Sequence, residues 1–239
     1  MSVLPQTMRI ELILSLFPGI DLLGRGFELE EFCVVRGPDI LWGGDIKNFH
    51  PPQNVFEGII GGAPCQSFSR AVIGHKSTMP DLTDEFTRII EETNPFWFLA
   101  ENVLKAPLPN PRKYYFQDLS LNAVDFGVNQ ERRRRFRFGC LKELRIFPES
   151  TLNFQARDIL PTVTATEFKG SKNDKRRASR FYGRRLTLSE VCCAMGLPTD
   201  FDLPPFKLSE KYRAVGNGVP IPMAKAIARA IKNITIEEK

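Results

Sequence analysis

The chain has 239 residues, of which 42% are hydrophobic and 26% charged, a composition typical of one soluble globular domain with room for a small appendage. It has five cysteines without a Cys-x-x-Cys pair and only two histidines, so neither a disulfide scaffold nor a metal site is expected. No apolar run is long enough to span a membrane and the amino terminus lacks the features of a signal peptide, so a reducing, cytoplasmic location is predicted.

Strand-like and helix-like segments alternate through the first part of the chain. Short apolar runs rich in β-branched or aromatic residues predict strands, and apolar residues at helical spacing predict helices. The predicted strands are residues 10–17, 32–35, 58–62, 96–100 and 135–140, and the predicted helices are residues 22–31, 82–93 and 119–124. This alternation favours an α/β fold with a parallel, doubly wound sheet.

The second part of the chain contains an irregular segment followed by a return to helical spacing. Residues 140–183 are polar and basic with little periodicity, which is typical of a small appendage. Helical spacing returns over residues 186–195 and 222–231. We therefore predict a main domain at 1–139, a small appendage at 140–183, and a return to the main domain at 184–239.

The positive charge is concentrated in one segment. Residues 130–185 contain 16 Lys and Arg against 6 Asp and Glu, a balance of +10, while the rest of the chain has a balance of −5. The runs ERRRRFR and KGSKNDKRRASR are dense and lie beside aromatic residues. A solvated basic face is one interpretation, but a polyanion such as nucleic acid is favoured, because each neutralised phosphate releases a counterion.

Three loops follow predicted strands directly, at residues 18–21, 63–66 and 101–103. Loops at the carboxyl ends of parallel strands gather on one edge of the sheet, where ligands bind. Glu101 follows the apolar run FWFLA, and desolvation there should raise the pKa of its carboxyl. Cys65 is by itself either a small core residue or a nucleophile.

The segment before the last predicted strand places three polar side chains on one side. In an extended chain alternate residues face the same way, so Gln130, Arg132 and Arg134 can point together into a site. Arg133 and Arg135 should point away from it.

Taken in order, several short motifs resemble those of the cytosine-5 methyltransferases that use S-adenosylmethionine. The motifs are FPGID, GDI, APCQSFS, ENV, QERRRRF, RRLTLSE followed by MGLP, and GNGVP near the end. The resemblance covers almost the whole chain. It implies a Rossmann-like methyltransferase sheet, with residues 140–183 as a reduced target-recognition region.

The resemblance also implies a role for each matching residue. Cys65 would add to C6 of cytosine so that C5 can attack the methyl group, and Glu101 would bind N3 and the exocyclic amine. Arg132 and Arg134 would hold the O2 side of a base flipped out of the duplex. The residues implied for the cofactor S-adenosylmethionine are Phe17, Gly19, Ile20, Asp39, Asp45, Pro64 and Asn217. Those implied for DNA are Gln66, Ser67, Ser69, Gln130, Arg184 and Arg185.

The chain departs from the family pattern at three places. Asp21 stands where the cofactor loop usually has another glycine. The acid usual at the end of the second strand is missing, and Asp39 is the possible substitute for binding ribose. The recognition region is short, which predicts a recognition site of roughly two to four bases, because few side chains remain to read the sequence.

Alternative functions differ in substrate or in activity. The expected partner is double-stranded DNA, bound by a monomer, and a cognate restriction endonuclease is a second candidate partner. A tRNA cytosine-5 methyltransferase with the same mechanism is the first alternative. A non-catalytic nucleic-acid-binding protein on the same fold is the second, and the intact motif residues argue against it.

Overall fold

The computed structural model describes residues 11–64, 81–151, 159–160, 162–163 and 186–237. Within these ranges the chain forms one six-stranded sheet and five α-helices. The strands are β1 (Leu12–Leu16), β2 (Cys33–Arg36), β3 (Gly58–Gly61), β4 (Trp97–Asn102), β5 (Tyr115–Asn122) and β6 (Arg133–Cys140). The helices are α1 (Leu22–Glu28), α2 (Thr83–Thr93), α3 (Leu188–Cys193), α4 (Leu208–Asn217) and α5 (Ile221–Glu237).

The sheet has the strand order β2-β1-β3-β4-β6-β5. The first four strands are parallel, and β6 runs antiparallel to both β4 and β5. The chain moves outward from β1 to β2, returns to the other side of β1 at β3, and adds β4 beside β3. It then forms β5 at the far edge and returns with β6 between β4 and β5. The predicted doubly wound α/β sheet is therefore confirmed, with one antiparallel strand inserted near its edge.

Helices cover both faces of the sheet, as the apolar pattern of the buried strands requires. On one face α1 and α5 pack against the sheet in a cluster that includes Phe27, Trp97 and Ile227, all at most 1% exposed. On the other face α2 contributes Phe86 and Ile89 to a second buried cluster. The described helices include none that is long and apolar enough to cross a membrane.

A third cluster joins the carboxyl edge of the sheet to the last part of the chain. It contains Ile20 from the loop after β1, Val163, Val191 of α3 and Tyr212 of α4. Helix α3 begins with a capping box, in which Glu190 N donates to Thr187 Oγ1 at 3.3 Å and Thr187 N donates to Glu190 Oε2 at 2.7 Å. This cluster fixes residues 186–217 beside the edge where the functional loops lie.

The prediction of a helix at residues 119–124 is wrong. Residues 115–122 form β5, and only the following Ala123–Phe126 turn is helical, of the 3-10 type. Leu119 and Leu121 lie on the core face at the two-residue period of a strand, and pairing with β6 decides the conformation. The helix α4 was not predicted, because its polar sequence buries only a narrow stripe at Tyr212, Val215 and Gly216.

Candidate active site at the carboxyl edge of the sheet

The three loops expected to carry function leave the sheet at the carboxyl ends of β1, β3 and β4. Leu16 at the end of β1 pairs with Gly61 at the end of β3, and Gly61 pairs with Ala100 of β4. The next residues along each strand therefore leave the same edge, as predicted. Pro64 is the last residue described in the second loop, so the neighbouring Cys65 lies outside the described residues.

Glu101 and Arg134 form an ion pair at this edge. Glu101 extends β4 beyond the apolar run, and Arg134 lies on the neighbouring antiparallel strand β6. Arg134 Nε is 2.9 Å from Glu101 Oε1, and both side chains are only 13% exposed. Burial raises the pKa of the Glu101 carboxyl above its ordinary value, although the charge of Arg134 opposes that shift. The ionised form of this carboxyl is therefore less favoured here than in water.

The chain segment that leads to Cys65 passes directly beside this pair. A Cβ atom added to Gly62 would lie 2.7 Å from Glu101 Oε2, so only a glycine lets the backbone come this close. Asn102, which is 4% exposed, donates from Nδ2 to Ala63 O at 3.3 Å. The last two residues of β4 therefore contact the backbone of residues 62 and 63, just before Pro64.

The alternation predicted for the arginine run is seen at Arg134 and Arg135, but Gln130 and Arg132 do not join Arg134 at Glu101. Arg134 shares a sheet face with Glu101, whereas Arg135 points to the opposite face and pairs with Asp118 at 2.5 Å. Gln130 and Arg132 have no exposed surface, and both bind backbone atoms. The direct roles expected from the sequence, Gln130 at DNA and Arg132 at the base, would require these side chains to leave their buried network.

The loop after β1 has an unusual backbone conformation. Phe17, Gly19 and Asp21 have φ angles of 52°, 55° and 56°, in the left-handed region that side chains disfavour. Gly19 tolerates this conformation freely, and aspartate tolerates it better than most residues. Asp21 thus adopts the backbone geometry that a glycine at this position would supply.

Asp21 also caps helix α1 and anchors the end of β1. Its side chain is 2% exposed, and Oδ1 accepts hydrogen bonds from Gly24 N at 3.0 Å and from Ser15 Oγ at 2.8 Å. Oδ2 lies 2.9 Å from Arg36 Nε, at ion-pair distance but without hydrogen-bond geometry. Arg36 occupies the end of β2, so this ion pair connects the end of β2 to the loop after β1.

Asp39 and Trp42 bind the backbone of the loop after β1 at Gly19. Gly19 N donates to Asp39 Oδ2 at 2.8 Å, and Leu41 N donates to Asp39 Oδ1 at 2.8 Å. Trp42 Nε1 donates to Gly19 O at 2.7 Å. Sequence reasoning missed Trp42, although its place just after Asp39 was the available indication.

The turn that carries Asp45 is fastened to helix α2. Asp45 is exposed and accepts a hydrogen bond from Lys47 N at 3.0 Å, which caps the Ile46–Asn48 turn. Arg88 Nη2 donates to Ile46 O and Phe49 O, each at 3.1 Å. Arg88 is a second residue that sequence reasoning missed, because its partners lie about forty positions away.

Several expected site residues lie outside the described residues or apart from the ion pair. Asn217 is exposed at the carboxyl end of α4, between Gly216 and Gly218. The part of the chain that the structure describes does not include the expected residues Cys65, Gln66, Ser67, Ser69, Arg184 and Arg185. The basic run KGSKNDKRRASR lies outside it too, so the predicted polyanion interface stays a prediction there.

The family model of C-5 cytosine-specific DNA methylases matches residues 42–169 and 148–233. The chain is 27% identical to the Type II methyltransferase M.NgoPII of Neisseria gonorrhoeae, over 95% of this chain and 97% of that protein. That alignment spans 333 positions although this chain has 239 residues, so about a hundred positions of the relative have no counterpart here. The orphan methyltransferase M.SPRI of Bacillus phage SPR is 29% identical, over 62% of this chain and 42% of that protein.

Solved structures show the same fold at low sequence identity. The Entamoeba histolytica methyltransferase EhMeth superposes with a TM-score of 0.65 at 14% identity, covering 95% of this chain and 99% of that one. A putative DNA modification methyltransferase encoded within an E. coli prophage superposes with a TM-score of 0.59 at 16% identity, covering 94% and 99%. Because the family model matches well over half of its length, the chain belongs to the C-5 cytosine-specific DNA methylase family and is a DNA (cytosine-5) methyltransferase.

Proposed function

We propose that the chain transfers a methyl group to C5 of a cytosine flipped out of double-stranded DNA, through a transient bond between Cys65 Sγ and C6 of the base. The observation that supports this mechanism most directly is the buried Glu101–Arg134 pair beside Gly62. A protonatable carboxyl lies next to the segment that leads to the only cysteine in a Pro-Cys-Gln sequence. Burial in a duplex would keep the base away from both groups, so the base has to be extruded.

The carboxyl edge of β1 suits the methyl donor that the family uses. S-adenosylmethionine would supply the methyl group from its positively charged sulfur. A Cβ atom added to Gly19 would meet no atom within 4 Å, so the space above this backbone is open. The strained left-handed Phe17 is of the kind that clusters at ligand clamps. The residues proposed to hold this group are Phe17, Gly19, Ile20, Asp39, Asp45, Pro64 and Asn217.

Glu101 would act on the pyrimidine ring as cysteine adds to it. Its protonated carboxyl would donate a hydrogen bond to N3 and accept one from the exocyclic amine. This interaction withdraws electrons from C6 and stabilises the negative charge that develops when the thiolate adds. Arg134 holds Glu101 Oε1, which fixes the orientation of the carboxyl and leaves Oε2 on the side of Gly62.

Cys65 would serve as the covalent nucleophile. Its thiolate forms the S–C6 bond and the ring becomes an enamine, whose C5 attacks the methyl carbon while the donor sulfur keeps the electron pair of the broken bond. Loss of the C5 proton to a base and cleavage of the S–C6 bond then restore the aromatic ring and the thiolate. The product is 5-methylcytosine.

The recognition site is proposed to be short. About a hundred positions of the aligned Neisseria relative have no counterpart in this chain, and we propose that the recognition region at residues 140–183 is small for that reason. Fewer side chains can then reach base edges in the major groove, where sequence is read directly. We propose a site of roughly two to four bases, and mapping of the methylated cytosines on random-sequence DNA tests this number.

Transfer of a labelled methyl group tests the proposed function. The wild type is incubated with methyl-labelled S-adenosylmethionine and either unmethylated duplex DNA or bulk tRNA. Label in 5-methylcytosine of the DNA is expected, and Glu101→Gln should reduce the rate by about 10²-fold or more, since it removes a group that donates a proton in the transition state. Glu131→Gln, on an exposed neighbouring acid, is the matched control. Label on tRNA alone would overturn the DNA substrate, and label on neither would overturn the proposed activity.

A further inference from the structure

Two buried polar side chains connect the catalytic domain to the recognition region. Val163 belongs to that region and is 0% exposed. Its N–H donates to Gln130 Oε1 at 2.8 Å, and its carbonyl accepts from Arg132 Nη1 at 2.7 Å. The backbone polar groups of Val163 are therefore held on both sides by neighbouring residues of the QERRRRF motif.

Backbone contacts extend the same connection. Glu131 N donates to Leu160 O at 2.8 Å, and Leu160 N donates to Asn129 O at 3.2 Å. Thr162 Oγ1 donates to Glu131 O at 2.5 Å. Residues 160 and 162–163 thus lie along residues 129–132, and the side chains of Gln130 and Arg132 fix the end of this contact.

The side chains of Gln130 and Arg132 also bind backbone carbonyls in the last part of the chain. Arg132 Nη2 donates to Gly216 O at 2.9 Å and to Gly218 O at 2.8 Å, the carbonyls on either side of Asn217. Gln130 Nε2 donates to Ala194 O at 2.8 Å, at the end of α3. One guanidinium therefore links Val163 in the recognition region to the turn that presents Asn217.

We propose that Arg132 is a positioning residue that couples DNA binding in the recognition region to binding of the methyl donor near Asn217. The inference rests on the proposed function, because it assigns DNA to one side of Arg132 and the donor to the other. A shift of Val163 on DNA binding changes the position of the guanidinium. The Gly216 and Gly218 carbonyls then follow, because a buried donor that loses its acceptor carries the full cost of desolvation.

Arginine is suited to this role by its geometry. The guanidinium is a rigid, planar group with donors on opposite sides, so it holds carbonyls from two chain segments at fixed relative positions. A lysine in its place has one nitrogen on a flexible stem and cannot hold all three carbonyls in that arrangement. Two ligands that share such a group affect each other's affinity by equal factors, typically about 5- to 150-fold.

The test measures the affinity of duplex DNA with and without saturating S-adenosylhomocysteine, the unreactive product of the donor. The ratio of the two DNA dissociation constants is the coupling factor. The wild type is expected to show a factor above about 5, and Arg132→Lys a factor within about twofold of unity. Arg133→Lys is the matched control, because Arg133 is 63% exposed and lies outside the network, and it should keep the wild-type factor.

A second variant keeps the test decisive if Arg132→Lys fails to fold. Gln130→Met removes the bonds to Val163 N and Ala194 O but leaves those of Arg132 to Val163, Gly216 and Gly218, so an intermediate coupling factor is expected. The inference is overturned if the wild type has a factor near unity, or if the Arg132 and Gln130 variants keep the wild-type factor. A wild type that methylates DNA while these outcomes occur would leave the proposed function standing, whereas a wild type that methylates no DNA would remove both.

Discussion

Replacement of Asp21 by alanine should destabilise the protein by about 2–5 kcal/mol. Asp21 accepts the hydrogen bond that caps α1 from Gly24 N, and loss of such a cap costs about 0.5–2 kcal/mol. It also accepts from Ser15 Oγ, and Ser15 is only 1% exposed. A buried hydroxyl left without its acceptor costs about 1–3 kcal/mol, and the left-handed backbone at φ 56° adds strain for alanine.

Asp21→Asn separates these effects from the loss of charge. Asparagine keeps an acceptor oxygen for Ser15 and Gly24 and tolerates the left-handed conformation. Burial raises the pKa of the Asp21 carboxyl despite the nearby Arg36, which means that the charged form is disfavoured at this position relative to water. Removing the charge should therefore cost less than about 1 kcal/mol, because the gain from avoided desolvation offsets the lost ion pair.

Urea denaturation at neutral pH with linear extrapolation gives the free energies of unfolding for these variants. Asp84→Ala, on an exposed acid in the first turn of α2, is the matched control and should stay within about 0.5 kcal/mol of the wild type. The reasoning is refuted if Asp21→Ala unfolds within 1 kcal/mol of the wild type, or if Asp21→Asn is as destabilising as Asp21→Ala.

Three further predictions concern the active site and DNA binding. Gly62→Ala should lower the methyl-transfer rate by about 10²-fold, because the new methyl group would lie 2.7 Å from Glu101 Oε2 and displace the carboxyl from its position beside Arg134. An unchanged rate would contradict this geometry. The free energy of unfolding of the wild type, relative to that of Glu101→Gln, should fall as pH rises above 4.5. The Glu101 carboxyl has a higher pKa in the folded protein than in the unfolded chain, so the unfolded chain loses this proton first. A relative stability of the wild type that rises with pH would contradict this prediction. The affinity for DNA should drop by more than about a hundredfold between about 50 and 200 mM salt, because the basic residues of the segment 130–185 are expected to bind phosphates. An affinity that does not change with salt would mean that these residues form a solvated face instead.

The parts of the fold that could be predicted from the sequence are those with strong local patterns. The apolar runs of β1, β3 and β4 and the helical spacing of α2 were visible because burial on both sheet faces demands them. The strand β5 was not, because its leucines fit a helical turn as well as a strand until pairing with β6 is known.

In the candidate site, too, residues with a local sequence signal could be predicted, whereas contacts between distant parts of the chain could not. Glu101 could be predicted, because a carboxyl directly after a buried strand is a local feature. The network of Gln130 and Arg132 could not, because their partners Val163 and Gly216 lie 31 to 84 positions away along the chain. Left-handed Asp21 was also unpredictable, because the sequence shows an acid where the backbone requires the tolerance of a glycine.

Trapping of the covalent intermediate tests the central mechanism most directly. Duplex DNA with 5-fluorocytosine at a mapped target site is incubated with the protein and S-adenosylmethionine. Fluorine cannot leave C5 as a cation, so the S–C6 bond should persist as a denaturation-resistant complex that mass spectrometry assigns to Cys65. Cys193→Ser, which changes an exposed free cysteine, should still form the complex, whereas Cys65→Ser should not. Normal methylation of ordinary DNA without a trapped complex, or an adduct on a residue other than Cys65, would contradict the mechanism.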